Sequence, residues 1–187
     1  MYCPKCEAEV ESTIRDVLET YPVKGEKITI NARVRFCKCC GTDVWDEELD
    51  EKNLLDAFEK YRKKHNLLQP HEIRMIREKY CLSQTAFARV LGFGDKTITR
   101  YENGSIADAA QNNLIELVQS PKNFKLLLEK NKEKISAQDY ENASAAIEAL
   151  RCKIMYNAKR ARPVYSIAED ATIMFSTEAY FGDVVYG

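Results

Sequence analysis

Residues 83–104, Ser-Gln-Thr-Ala-Phe-Ala-Arg-Val-Leu-Gly-Phe-Gly-Asp-Lys-Thr-Ile-Thr-Arg-Tyr-Glu-Asn-Gly, read as two short helices about a tight glycine turn. The Ser83 hydroxyl suits the free amides of a first helical turn, and Gly92 tolerates the left-handed backbone of a helix stop. Asp95 is the expected cap of the second helix. There Ile98 and Tyr101, three apart, face a core, while Lys96, Thr97 and Arg100 share the other face. A helix with exposed cationic and hydroxylic residues at its start, held across a turn from a supporting helix, is what major-groove reading of DNA requires.

Helical patterns flank this unit on both sides. Ile73, Ile76 and Tyr80 line one face over 70–80, and Leu114, Ile115, Leu117 and Val118 mark a helix over 108–119. Pro121 ends it, and Phe124, Leu127 and Leu128 mark a fifth short helix. Further on, 136–162 reads as one more helix, with Ser136 as its cap and a stripe of Tyr140, Ala143, Ile147, Leu150 and Ile154 expected to meet a second copy or a partner. The final stretch, 164–187, carries Phe175, Tyr180, Phe181 and Tyr186 and is too apolar for a solvated tail.

The N-terminal third follows a different pattern. Ile28, Ile30, Ala32, Val34 and Phe36 alternate with Lys27, Thr29, Asn31, Arg33 and Arg35, the period of a half-buried strand. Residues 13–21 supply its antiparallel partner through a turn at Pro22-Val23-Lys24-Gly25. Cys3 and Cys6 form one C-x-x-C pair and Cys37 and Cys40 another, each able to grip two corners of a tetrahedral zinc ion. Cys39 is an alternative ligand. One structural Zn2+ per chain would clip a hairpin that lacks a core of its own. After it, Leu54, Leu55, Phe58 and Tyr61 stand at helical spacing in a linker helix over 49–65.

Composition narrows the function classes. The chain has 187 residues, 45% of them hydrophobic, with seven Gly and five Pro, as a folded protein of one or two small domains has. No apolar run reaches the roughly 18–20 residues of a membrane span, and the N-terminus has no signal-peptide pattern, so the cytoplasm is the expected address. Seven cysteines fit thiols or metal ligands there better than disulfides. Net charge is −1, but over 70–135 Lys and Arg number 11 against 8 acidic residues, which permits phosphate binding. Cys81 and Cys152 read as buried small hydrophobes, and the acidic run 46–51 as the solvated start of a helix. A four-thiolate site leaves no open position for catalysis, so no enzyme is expected.

Ser83-Gln84, Ala88, Leu91-Gly92, Thr97-Ile98 and the block Arg100-Tyr101-Glu102-Asn103-Gly104 together resemble the Xre/Cro repressor pattern. With Cys3-Pro-Lys-Cys6 and Cys37-Lys-Cys-Cys40 in front, residues 1–130 resemble the MqsA-type antitoxins, in which a YgiT-like zinc module precedes an Xre-type domain. The expected fold is α+β: a small zinc-bound β-hairpin module with its linker helix over 1–68, an all-α Xre/Cro-like helix-turn-helix domain over 69–135, and a helical C-terminal extension over 136–187, of which the resemblance covers 1–130. The resemblance implies a toxin-binding zinc module and a homodimer on a palindromic double-stranded operator. The set of DNA-contacting residues becomes Ser83, Gln84, Lys96, Thr97, Thr99 and Arg100. Lys96 stands where that pattern has asparagine four residues before the arginine, so a guanine or phosphate contact replaces one to adenine. The function implied is a toxin-neutralising, autorepressing antitoxin. Alternatives are a free-standing Xre-family regulator with a zinc-binding interaction module, and an adaptor whose helical unit only dimerises.

Overall fold

Twelve-residue strands dominate the N-terminal module. The computed structural model describes residues 1–160, with side chains given through Cys152 and at Tyr156, so the readings made for Ile154 and for 164–187 lie outside the described residues. Strand β1 (Tyr2–Cys3) pairs with β2 (Ala8–Glu9), and β3 (Ser12–Val23) pairs antiparallel with β4 (Glu26–Cys37) along its whole length. Strand β5 (Asp43–Val44) adds to the end of β4 that carries Cys37. The β3–β4 turn is tighter than the sequence suggested. Lys24 and Gly25 take left-handed φ of 47° and 82°, the two-residue geometry that matches strand twist, and Pro22 and Val23 stay in the strand.

The alternation predicted for β4 sorts the two faces of the sheet. Ile28, Ile30, Ala32 and Val34, with Val17, Tyr21 and Val23 of β3, pack against Ala57, Phe58 and Tyr61 of α1 (Glu47–Lys64). The hairpin therefore has a core of its own, contrary to expectation, because α1 lies along it. The linker helix also turns differently from the apolar reading: Leu54 and Leu55 are exposed, while Asn53, Ala57 and Arg62 are buried. A helix beside a strand edge can bury polar groups that serve the backbone. Asp46 caps α1 by accepting from the Leu49 amide (3.2 Å) and holds Arg35 at 2.6 Å.

The helical part comprises α2 (Pro70–Glu78), α3 (Gln84–Leu91), α4 (Thr97–Glu102), α5 (Ala109–Leu117), α6 (Pro121–Lys130) and α7 (Ala137–Arg160). Tyr80, Phe87 and Phe124 stack at its centre, ringed by Ile73, Val90, Ile98, Ile115 and Leu128. Ala143 and Ile147 of α7 are buried in this same core, with Tyr140 and Leu150 packed against it. The α7 stripe thus folds back on its own domain as far as Leu150 instead of waiting for a second copy. Residues Met1–Arg151 form one compact unit, and the fold is α+β. Among the described residues no helix is long and apolar enough to cross a membrane.

Two smaller readings are corrected. Asp95 does not cap α4: Lys96 occupies that position, and the Asp95 carboxylate takes both Arg89 Nε (2.9 Å) and Nη2 (2.8 Å) across the turn. Cys81 and Cys152 are exposed. At Cys81 a left-handed φ of 54° between α2 and α3 turns the side chain outward.

Candidate metal centre and nucleic-acid interface

Cys3, Cys6, Cys37 and Cys40 come together at the end of the hairpin, all four sulfurs within 4.8 Å of one another. The Sγ–Sγ distances of 3.6 Å for Cys3–Cys40 and 3.8 Å for Cys6–Cys37 match the edge of about 3.8 Å that a tetrahedron of 2.3 Å zinc–sulfur bonds would have. Backbone amides of Cys39 and Cys40 donate to Cys37 Sγ (3.3 and 3.4 Å), bonds that favour a thiolate. Cys39 itself is exposed and outside the cluster. The donor set is all sulfur, and it suits zinc.

Without a cation, four thiols this close cannot all ionise. Hydrogen bonding with the side chain and backbone of Thr42 brings Cys40 down to about 6, while Cys6, hydrogen-bonded to Cys40, is pushed up. A divalent ion removes that conflict. Val44 and Val10 pack around the sulfurs and fix the two C-x-x-C loops.

At the other candidate site, Ser83 accepts from the Ala86 amide (3.1 Å) and Gly92 closes α3 with a left-handed φ of 75°. The two helices of the predicted unit are therefore present as Gln84–Leu91 and Thr97–Glu102. On their outer side Ser83, Lys96 and Arg100 are exposed, and Gln84 and Thr99 are half-buried. Thr97 does not join them. It is buried beside Ile98, because at 100° per residue it stands only 40° around α4 from Tyr101, which faces the core.

Beneath this face lies a polar network whose centre the sequence motif contains without disclosing its role. The Glu102 carboxylate, fully buried, accepts from Arg77 Nε (2.6 Å) and Nη2 (2.9 Å) and from Gln84 Nε2 (2.8 Å), and Arg74 approaches at 3.4 Å. Thr99 Oγ1 donates to Gln84 Oε1 (2.9 Å). Burial works to raise Glu102, but the bonds from Arg77 and Gln84 outweigh it and hold the carboxyl below its ordinary range. Gln84 is thereby fixed from both ends of its amide. Only the Glu in the middle of the Arg-Tyr-Glu-Asn-Gly block, 25 residues after Arg77, hinted at this pair.

A third surface belongs to the hairpin. Opposite its α1 side, Ile14, Asp16, Leu18 and Thr20 stand across from Arg35, Arg33, Asn31 and Thr29. Leu18 is 79% exposed. Of the basic residues the sequence assigned there, Arg35 is engaged by Asp46 and Ser12.

Residues 1–130 match the family model described as the antitoxin component of a bacterial toxin-antitoxin system, MqsA. No curated protein sequence matches the chain.

Proposed function

The chain belongs to the MqsA antitoxin family, and from that premise we propose that it neutralises a cognate toxin through its zinc module and represses its own operon as a homodimer on a palindromic operator. Membership makes it an antitoxin component, a regulatory protein, and therefore implies a toxin partner. The DNA-reading half of the proposal is supported by one observation above the others: Gln84, at the start of α3, is locked by Glu102 and Thr99 beside exposed Lys96 and Arg100. Side chains fixed before binding lose little freedom on contact with bases or phosphates. Arg100 and Lys96 suit guanine or phosphate, Thr99 a base edge, and Ser83 with Gln84 the backbone. Thr97, being buried, supports α4 from within.

The toxin-binding half is supported by the hairpin face bearing Leu18 and Ile14 beside Arg33, together with the unpaired edge of β3. Strand addition uses such an edge. The four-thiolate centre, with Zn2+ as the ion, holds the end of that hairpin.

Co-expression with the small protein encoded beside this chain tests both halves. Wild type is expected to relieve growth arrest and repress a reporter carrying its own promoter. Arg100→Ala is expected to relieve arrest and lose repression. Relief without any repression by wild type would leave a toxin binder that does not read DNA; repression without relief would leave the free-standing regulator.

A further inference from the structure

Helix α1 carries two separate contact faces. Asn53, Ala57 and Tyr61 face the hairpin, and Leu55 and Arg62 lie about 150° around the helix at 100° per residue. That second face meets the end of α4. Arg62 is 3% exposed, and its guanidinium donates through Nη2 to the Gly104 carbonyl and through Nη1 to Gln69 Oε1 at 3.4 Å. Both acceptors are neutral. Burial pushes the Arg62 guanidinium down from its usual value, with the Glu59 carboxylate acting in the opposite sense. Removal of that cation would leave the Gly104 carbonyl, just past the last turn of α4, without this donor.

Gly104 is pinned from the same side. Its φ of 102° is a conformation side chains disfavour, and a Cβ there would sit 2.6 Å from Leu55 Cδ2. The turn is tied back into α4 by the Gly104 amide on the Tyr101 carbonyl (3.1 Å) and the Ser105 amide on the Arg100 carbonyl (2.9 Å). Helix α4 has six residues, too few to hold a geometry without support at its ends. Gln69 links the contact to the other side of the network: its amide donates to Glu72 at the start of α2, the helix that carries Arg77 to Glu102. A groove of about 410 Å3 opens beside the junction, so few side chains span it.

We propose that Arg62 and Leu55, which belong to the zinc-module helix, are positioning residues for DNA reading: they fix the turn at Gly104 and through it the angle at which α4 presents Arg100. This rests on the DNA-reading function proposed above. The zinc module is then part of the reading head, and an isolated 69–135 domain would read DNA less selectively.

The test uses the full chain and a duplex enriched from a random-sequence pool by the wild-type protein, with a scrambled duplex as control. Arg62→Met and Leu55→Ala are expected to weaken binding to the enriched duplex by about 10-fold, within the range of ordinary site-to-site coupling, and to leave the scrambled duplex within about twofold. On an Arg100→Ala background, Arg62→Met is expected to add nothing further, a non-additivity that general destabilisation would not produce. If Arg62→Met does not fold, as circular dichroism and zinc content would reveal, Leu55→Ala carries the same comparison at a half-exposed position. Binding of both variants within twofold of wild type, equal loss on the scrambled duplex, or full additivity with Arg100→Ala would each overturn the proposal. Failure of wild type to enrich any sequence would overturn the DNA-reading function, and this role with it.

Discussion

The carboxamide of Asn53 closes on the backbone of Arg33 from both sides, its Oδ1 accepting from the Arg33 amide at 3.0 Å and its Nδ2 donating to the Arg33 carbonyl at 3.0 Å. A side chain of α1 thus takes the place of a neighbouring strand. Lys60 Nζ does the same for the Thr29 carbonyl (2.6 Å). In an antiparallel pair the backbone groups of alternate residues point outward, so these contacts cover odd-numbered positions along the outer edge of β4. On β3 the even-numbered positions point outward, and there Pro22 already lacks an amide. Among the described residues the hairpin has one edge capped and one edge open.

Loss of the Asn53 clamp is therefore expected to destabilise the module without touching its apolar core. Asn53→Leu leaves the Arg33 amide and carbonyl without these partners beside a buried helix face, at a cost of about 1–3 kcal/mol. Urea unfolding followed by tryptophan fluorescence from Trp45 would measure it. A midpoint equal to that of wild type would mean that water serves Arg33 as well as Asn53 does.

Metal removal is expected to act locally. Because Val23, Ile28, Ile30, Ala32 and Val34 have α1 to pack on, chelation should release the two C-x-x-C loops and the short strands β1, β2 and β5, while β3, β4 and α1 persist. Hydrogen exchange by mass spectrometry should show protection lost over 1–11 and 38–46 and kept over 28–34. Binding should also weaken with acid, since protons compete for the sulfurs and each ligand must be a thiolate. Collapse of protection across the whole hairpin on chelation would mean that the α1 contact is too weak to stand alone.

Glu102 gives the helical domain its own pH dependence. Its carboxyl is held below the ordinary value of 4.5, so the stability it contributes is fully present above that value and lost as pH falls through the depressed one. Wild type is expected to lose stability more steeply below about pH 4.5 than Glu102→Gln does. At neutral pH the variant should cost about 3–5 kcal/mol, the penalty for leaving a buried partner, Arg77, without its carboxylate. Parallel pH–melting curves for the two proteins would remove Glu102 from the acid response.

Much of this was legible in order and period. The two-fold alternation of β4 marked its buried face residue by residue, since a half-buried strand has one periodic signal and one place to put it. The two C-x-x-C pairs announced the cluster for the same reason: ligand spacing is local. What stayed hidden was contact between distant segments. Asn53 and Arg62 are polar residues on a charged helix, and Arg62 stands in the run Arg62-Lys63-Lys64, where composition cannot separate the buried cation from its exposed neighbours. Thr97 stands 40° around α4 from Tyr101 and 60° from Arg100, on the boundary of the two faces, where period alone does not separate inside from outside.

That phase yields a contrast within α4. Thr97→Val keeps the shape of a side chain only 6% exposed and removes one hydroxyl, so operator affinity should stay within about twofold of wild type. Arg100→Ala should cost about 1–3 kcal/mol and relax preference at one position per half-site. Footprinting of both variants on an enriched duplex decides between them. A loss for Thr97→Val equal to that of Arg100→Ala would return Thr97 to the reading face.

The open edge of β3 separates two ways in which a toxin could be recognised. Leu18 is even-numbered, so its side chain lies on the bare face and its amide points outward, away from β4. Leu18→Ala removes the side chain and keeps the amide; Leu18→Pro removes the amide without breaking a β3–β4 hydrogen bond, as Pro22 does in the native strand. If the toxin adds a strand, the proline variant should lose binding by about 10-fold or more while the alanine variant loses less, because main-chain bonds supply the affinity in that mode. If the toxin reads the apolar face, alanine should be the more damaging of the two. Titration calorimetry with the purified toxin, after circular dichroism has shown both variants folded, gives the order; no effect from either would place the toxin away from this strand.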